Sequence, residues 1–194
     1  MMFSSQYMEE VVKIARSINV DAIEEIVTEL DYLRKHQGRL FVLGVGGSAG
    51  NASHMVNDLR KLCGIEAYAP TDNVSEITAR TNDEGFATIF EEYLKVSNFN
   101  HNDAIFILSV GGGNKDKNVS VALCNAIDYV KRQSGLIYGI IGREDGYAKE
   151  MGDNVIVVPL TDSKRITPHS EAFQSVIWHC IVSHTKLQIR DTKW

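Results

Sequence analysis

At 194 residues, against roughly 150 per domain, the chain is expected to form one compact domain, residues 1–194, around one core. Twenty Lys and Arg against 25 Asp and Glu leave a net charge of −5, so there is no global attraction to nucleic acid or to an anionic membrane, and an anionic ligand must be gripped locally. A composition of 44% hydrophobic and 23% charged residues, with 15 Gly and 3 Pro, excludes collagenous and largely disordered classes.

The three cysteines, Cys63, Cys124 and Cys180, are far apart and lack ligand spacing. No basic-then-apolar leader opens the sequence, and no apolar run approaches the ~18 residues of a membrane span. The expectation is a cytoplasmic protein with no membrane and no nucleic-acid partner.

From Ser5 to about His36, apolar residues recur at spacings of three and four, which predicts two helices within an N-terminal helical extension, residues 1–37. Asp21 and Glu24 resemble a capping box, placing the break between Ser17 and Asp21, and Gly38 closes the second helix. Short apolar runs then predict buried strands at Leu40–Leu43, Ala104–Leu108, Leu136–Ile141 and Val155–Val158, with a further short strand at Glu66–Ala69. Helix-length segments separate them: Ser48–Cys63, Phe86–Ser97, Asn118–Gln133 and Tyr147–Met151, with Pro168–His184 as the last helix. Such alternation means βα units and a mostly parallel sheet covered on both faces. Ligands of such sheets lie beyond the carboxyl ends of the strands.

Two glycine loops echo one another. Leu43-Gly44-Val45-Gly46-Gly47 and Leu108-Ser109-Val110-Gly111-Gly112 each follow a predicted strand and precede a predicted helix. Glycine permits positive φ and close backbone approach, and the N–H groups and dipole of the following helix favour an anion such as phosphate. Lys115 and Lys117 follow the second loop, where a bound anion would account for them. Gly44, Gly46 and Ala49 also satisfy the loose dinucleotide pattern, with Asp72 at the distance of a ribose-binding acid. Asp72 does not end a convincing strand, however, and a nicotinamide site is the weaker reading.

His54 and Asp58 stand four apart on one helix face, where they can bind metal or divide acid and base roles. His179 lies on the apolar background of the last helix, eight positions after Glu171. Eight helical residues rise about 12 Å, so either Glu171 precedes the regular helix or the two serve sites built from different chains. Asn82-Asp83-Glu84-Gly85 offers amide and carboxylate groups suited to sugar hydroxyls in what reads as a turn.

In their order and spacing these segments resemble the SIS (sugar isomerase) domain family and, within it, the sedoheptulose 7-phosphate isomerases, also called phosphoheptose isomerases. The resemblance covers nearly the whole chain. It rests on the N-terminal helices, Gly44-Val45-Gly46-Gly47-Ser48 through His54, Asn82-Asp83-Glu84-Gly85-Phe86, the loop from Ser109, and the last helix with Glu171 and His179. It implies a flavodoxin-like three-layer α/β/α sandwich with a five-stranded parallel sheet, assembled as a homotetramer, with zinc as cofactor and a sugar phosphate as substrate. By the same resemblance His54, Asp58, Glu171 and His179 are metal ligands, and Asp58, Glu171 and His179 are catalytic. Substrate-binding positions are Gly46, Gly47, Ser48, Asn82, Asp83, Ser109, Gly111, Gly112 and Asn114.

The activity implied is aldose–ketose isomerisation of sedoheptulose 7-phosphate in heptose biosynthesis, an intramolecular oxidoreduction. The alternative is a non-catalytic SIS module that binds a sugar phosphate or a partner protein. Several positions depart from the family pattern. Typical members carry Glu at the position of Asp58, Gln at that of Glu171, Asn at that of Val45, and a hydroxyl-rich sequence where this chain has Val110-Gly111-Gly112-Gly113.

Overall fold

The computed structural model describes residues 2–193. Helices α1 (Phe3–Ser17) and α2 (Val20–Lys35) come first, split where the composition predicts. The cap of α2 is Asn19, whose Oδ1 accepts the Ala22 N–H at 3.2 Å, rather than Asp21, which falls inside the helix as a first-turn carboxylate. The chain continues as β1 (Leu40–Gly44), α3 (Gly47–Cys63), β2 (Ala67–Tyr68), α4 (Val74–Asp83), α5 (Ile89–Val96), β3 (Ala104–Ser109), α6 (Val121–Arg132), β4 (Leu136–Ile141), α7 (Tyr147–Met151), β5 (Asn154–Val157) and α8 (Ile166–Val182).

The sheet is five-stranded and parallel throughout, ordered β2-β1-β3-β4-β5. Strand residues alternate between two cores, as the twofold period of a strand requires. Leu40, Val42, Phe106, Leu108, Tyr138 and Ile140 pack against α1, α2, α3 and α8 on one face. Phe41, Leu43, Ile105, Ile107, Ile137 and Ile141 pack against α5, α6 and α7 on the other. The result is the expected three-layer sandwich.

Strands β1 and β3 are neighbours, yet the helices that follow them, α3 and α6, cover opposite faces. That divergence is a topological switch point, and it opens a crevice beyond the carboxyl ends of the two strands. Both glycine loops lie there. At the opposite edge Asp103, 2% exposed, locks the two strands together: its carboxylate accepts from Arg39 Nε at 3.0 Å and Nη2 at 2.6 Å, and from the Arg39 and Asn100 backbone N–H groups.

One element was not legible. Residues 74–83 form α4, with Asn82 and Asp83 in its last turn rather than in a free turn, and none of its residues is buried. Its apolar residues, Val74, Ile77 and Ala79, are few and none is buried, so little in the sequence marks it as an element of the fold.

Helix α1 is fastened to the head of α8 by a buried carboxylate. Arg165 donates to Glu10 through Nε (2.8 Å) and Nη2 (2.6 Å), His169 Nε2 lies 2.9 Å from Oε2, and the Tyr7 ring packs on the His169 ring at 4.5 Å. The Arg165 hydrogen bonds, and then that of His169, pull the Glu10 carboxyl down to about 2. A depressed folded-state value stabilises fully above the unfolded value and is lost as pH falls through the folded one. Between about pH 4.5 and about pH 2, wild type therefore loses a component of stability that Glu10→Gln lacks. Urea midpoints measured across that window should fall more steeply for wild type; parallel profiles would remove Glu10 from its anchoring role.

Candidate active site

Helices α3 and α8 run side by side in the same direction, so residues of one meet residues of the other in sequence order. At the loop end Gly47 meets Glu171. A Cβ on Gly47 would stand 2.6 Å from Glu171 Oε1, so the glycine lets this carboxylate lie directly over the start of α3. Gly46, at φ +64°, makes the left-handed turn that starts α3.

One turn further, a closed set of hydrogen bonds joins the helices. Asn51 Nδ2 donates to the Glu171 carbonyl (3.0 Å) and to Gln174 Oε1 (2.9 Å). Gln174 Nε2 donates to Ser48 Oγ (3.1 Å), and Ser175 Oγ donates to Asn51 Oδ1 (2.7 Å). Gln174 and Ser48 are fully buried or nearly so, and the set leaves their amide and hydroxyl partnered, as burial demands.

Another turn on, His54, Asp58 and His179 converge, with one donor atom from each lying within 4.8 Å of the others. His54 Nε2 is 3.8 Å from Asp58 Oδ2. Asn57 Nδ2 donates to Asp58 Oδ1 at 2.8 Å, which leaves Oδ2 facing the cluster. His179 Nδ1 donates to the Ser175 carbonyl at 2.7 Å, so Nε2 carries the free lone pair. Two imidazoles and a carboxylate are a donor set that suits zinc with an open coordination position.

Glu171, expected as a fourth ligand, is not in this cluster. Helix α8 is continuous from Ile166 to Val182, so Glu171 does not precede the regular helix, and its rise of about 12 Å to His179 stands. The carboxylate sits instead at the first turn of α3, where the helix dipole favours an anion.

The second glycine loop is open. Together with the start of α3 it lines a cavity of about 370 Å³ that includes Ser48, Ser109, Gly111, Ser120 and Arg143. Ser109 Oγ accepts the Gly112 N–H at 3.0 Å, which fixes the loop and commits that N–H internally. Ser120 and Arg143 are the residues that the sequence reading passed over. Ser120, in the left-handed region at φ +49°, starts α6 but makes no side-chain cap bond, so its hydroxyl is free for the cavity. Arg143 follows β4 by two residues at the carboxyl edge of the sheet and is held in a fork to Asp145 at 2.8 Å through Nε and Nη2. The signal for Arg143 was its position, a guanidinium just beyond a strand end.

Other expected residues lie apart. Asn114 Oδ1 accepts the Lys117 N–H at 2.8 Å and the residue lines a different depression, with Lys115 and Tyr147. Lys115 Nζ is committed to Asp128 (2.6 Å) and Tyr147 Oη (2.9 Å), which answers the expectation that an external anion accounts for it. Asn82 and Asp83 are exposed and bonded to each other. Larger depressions, of about 450 Å³ by Asn19 and Asp153 and about 480 Å³ by Arg60 and Tyr68, involve neither glycine loop. The dinucleotide reading fails on charge, since the Glu171 carboxylate stands where a pyrophosphate would approach α3.

A switch-point crevice with one open glycine loop, beside a helix pair that carries an imidazole–carboxylate cluster, defines an α/β protein with a candidate anion site and a candidate metal site. Residues 6–129 match the SIS domain, and the chain belongs to that family. It is 28% identical over 171 residues to the phosphoheptose isomerase of Helicobacter pylori (strain ATCC 700392 / 26695), covering 84% of each protein. Against the phosphoheptose isomerase of Geotalea daltonii (strain DSM 22248 / JCM 15807 / FRC-32) it is 32% identical over 162 residues, 79% of this chain and 81% of that one. The solved structure of a phosphoheptose isomerase from Francisella tularensis superposes with a TM-score of 0.78 at 21% identity, covering 94% of this chain and 97% of that one.

The hydrogen-bonded set between α3 and α8 should be worth measurable stability. Replacing Gln174 by Ala strands the buried Ser48 hydroxyl and takes one of two acceptors from the Asn51 amide, at a cost of about 1–3 kcal/mol. Chemical denaturation of the purified variant checks this.

Proposed function

We propose that this protein is an aldose–ketose isomerase of a sugar phosphate, interconverting sedoheptulose 7-phosphate and D-glycero-D-manno-heptose 7-phosphate. The observation that carries the reading is the arrangement along α3 of a SIS-family chain: an anion-ready cavity at Ser48 and, six residues or about 9 Å of helix further on, the His54, Asp58 and His179 cluster.

The reaction moves a proton between C1 and C2 and another between their oxygens, through a cis-enediol. Two placed proton carriers suffice. Asp58, steadied by Asn57 and beside His179, is the carboxylate for the carbon-bound proton; Glu171, about 12 Å of helix from His179, takes that role instead only in a site shared between copies of the chain. His179, with Nδ1 committed to Ser175, presents Nε2 for the proton on oxygen. The phosphate is gripped by the N–H groups that open the second loop and α6, by the Ser120 hydroxyl and by Arg143, which replace the hydroxyls missing at Val110 and Gly111. A zinc ion held by His54, Asp58 and His179 would polarise the sugar carbonyl and stabilise enediolate charge.

The same reading makes the protein cytoplasmic and homotetrameric. Helix α4, with no buried residue and Val74 70% exposed, supports contact with further copies. No helix among the described residues is long and apolar enough to cross a membrane.

A second reading is a module that binds the sugar phosphate without turning it over, favoured by the hydroxyl-poor second loop and the shortened carboxylate at Asp58. Incubation with sedoheptulose 7-phosphate, followed by exchange of the C1 and C2 protons in deuterated water, decides between them: turnover supports the isomerase, and binding without exchange supports the module.

His179→Gln should abolish exchange while the melting temperature stays within a few degrees; near-normal turnover would refute its role. Arg143→Ala should raise KM for the phosphorylated sugar about 10- to 100-fold, the loss of a charge-assisted hydrogen bond, with little change in kcat. A KM equal to wild type would assign the phosphate to other donors.

A further inference from the structure

A metal-binding histidine is ordinarily oriented by a hydrogen bond from its other ring nitrogen. His179 has such a bond, from Nδ1 to the Ser175 carbonyl at 2.7 Å. His54 does not. Its side chain is 58% exposed, its polar neighbour among the described residues is Asp58 at 3.8 Å, and that contact is made by Nε2, the atom turned toward the cluster. An exposed imidazole without a tether would sample several rotamers and present its donor only part of the time.

Trp178 supplies what the hydrogen bond does not. Its indole has no accessible surface. It stacks on the His179 ring with centroids 3.5 Å apart and planes 26° off parallel, and it meets the His54 ring edge-on at 4.7 Å and 68°. The two imidazoles are themselves 5.3 Å apart at 86°. Three rings thus touch pairwise, and the one anchored in the core fixes the planes of the two at the surface. Its Nε1–H is buried without a hydrogen-bond partner among the described residues. Leaving a buried donor unpaired costs stability, so the ring serves this place through its flat face and not through its polar atom.

We infer that Trp178 is a positioning residue, a buried plate that holds the His54 and His179 imidazoles at the separation and angle at which their donor nitrogens converge with Asp58 on one metal ion. The inference rests on the reading of His54, Asp58 and His179 as metal ligands and extends it to a residue outside the donor set. Phenylalanine would preserve the plate and remove the orphan donor. Leucine and methionine would fill part of the volume with no flat face.

The experiment is a Co²⁺ titration of the full-length protein, read by visible absorption and by equilibrium dialysis, with far-UV circular dichroism confirming the fold of each variant. Wild type and Trp178→Phe should bind one Co²⁺ per chain with matching spectra and affinities within a few-fold. Trp178→Leu and Trp178→Met should bind about 10- to 100-fold more weakly, the range seen when a group that orients a ligand is lost, with altered visible bands. Methionine keeps the test open if leucine leaves too large a cavity to fold. A folded Leu or Met variant with wild-type affinity overturns the inference. Co²⁺ should also quench the Trp178 emission, identified by difference from Trp178→Phe, and unquenched emission in the Co²⁺-loaded protein overturns it too. If wild type takes up no Co²⁺, the ligand reading itself fails and the inference falls with it, an outcome distinct from uptake that ignores Trp178.

Discussion

The parallel contact between α3 and α8 is the constraint on which the site depends. Apolar ridges alone would let two helices slide by a turn at modest cost, because leucine-like surfaces are nearly interchangeable. The Ser48, Asn51, Gln174 and Ser175 set opposes the slide, since a shift of one turn would break all of these bonds and leave Ser48 and Gln174 unpaired in a dry interface. Register follows, and with it Glu171 over Gly47 and His179 beside His54. The geometry at either end of the helix pair is thus set by the hydrogen-bonded groups between them.

The two glycine loops show how like sequences reach unlike ends. Both stand at the switch point between β1 and β3, and both open helices whose N-termini attract negative charge. The first has its anion built in, the Glu171 carboxylate carried by α8. The second has no such guest, and its neighbouring cations differ in availability: Lys115 is held by Asp128 and Tyr147, while Arg143 is bonded only to an exposed carboxylate two residues away. An incoming phosphate therefore competes with a weak, solvent-screened pair at Arg143 rather than with a consolidated one. In the proposed reaction that asymmetry directs the phosphate to the second loop and the sugar toward the helix pair.

Sequence patterning was a good guide wherever burial imposes a period. The strands of the sheet and the helices that pack on it, from α1 and α2 to α8, were readable because their apolar residues must face a core. Helix α4 was not, since its apolar residues are few and none of them is buried. The Asp21–Glu24 pair misled for a related reason: a capping box and a first turn rich in carboxylates look alike in sequence, and Asn19 two residues earlier made the better cap. The metal-type cluster was half legible. The i, i+4 pair His54 and Asp58 follows from helix geometry, whereas the partnership with His179, the detour of Glu171 and the exposure of Ser120 to the cavity depend on tertiary register that no local spacing encodes.

Helix α8 explains why a surface histidine can look like a core residue. Its buried positions run Phe173, Gln174, Ile177, Trp178, Ile181 and Val182, a stripe two residues wide, and His179 is the next residue past the stripe's edge. In sequence, the apolar neighbours on both sides make it read as interior. In space, a rotation of about 100° per residue carries it from the buried indole to the open surface in one step. A ligand placed at that boundary gains the rigidity of the core through its neighbour while keeping its donor nitrogen in reach of solvent and substrate. Had the histidine fallen inside the stripe, it would have been enclosed away from any metabolite. On the far side, it would have lost contact with both Trp178 and α3, so the border of the apolar stripe is where this fold can hold a reactive imidazole still and yet leave it accessible.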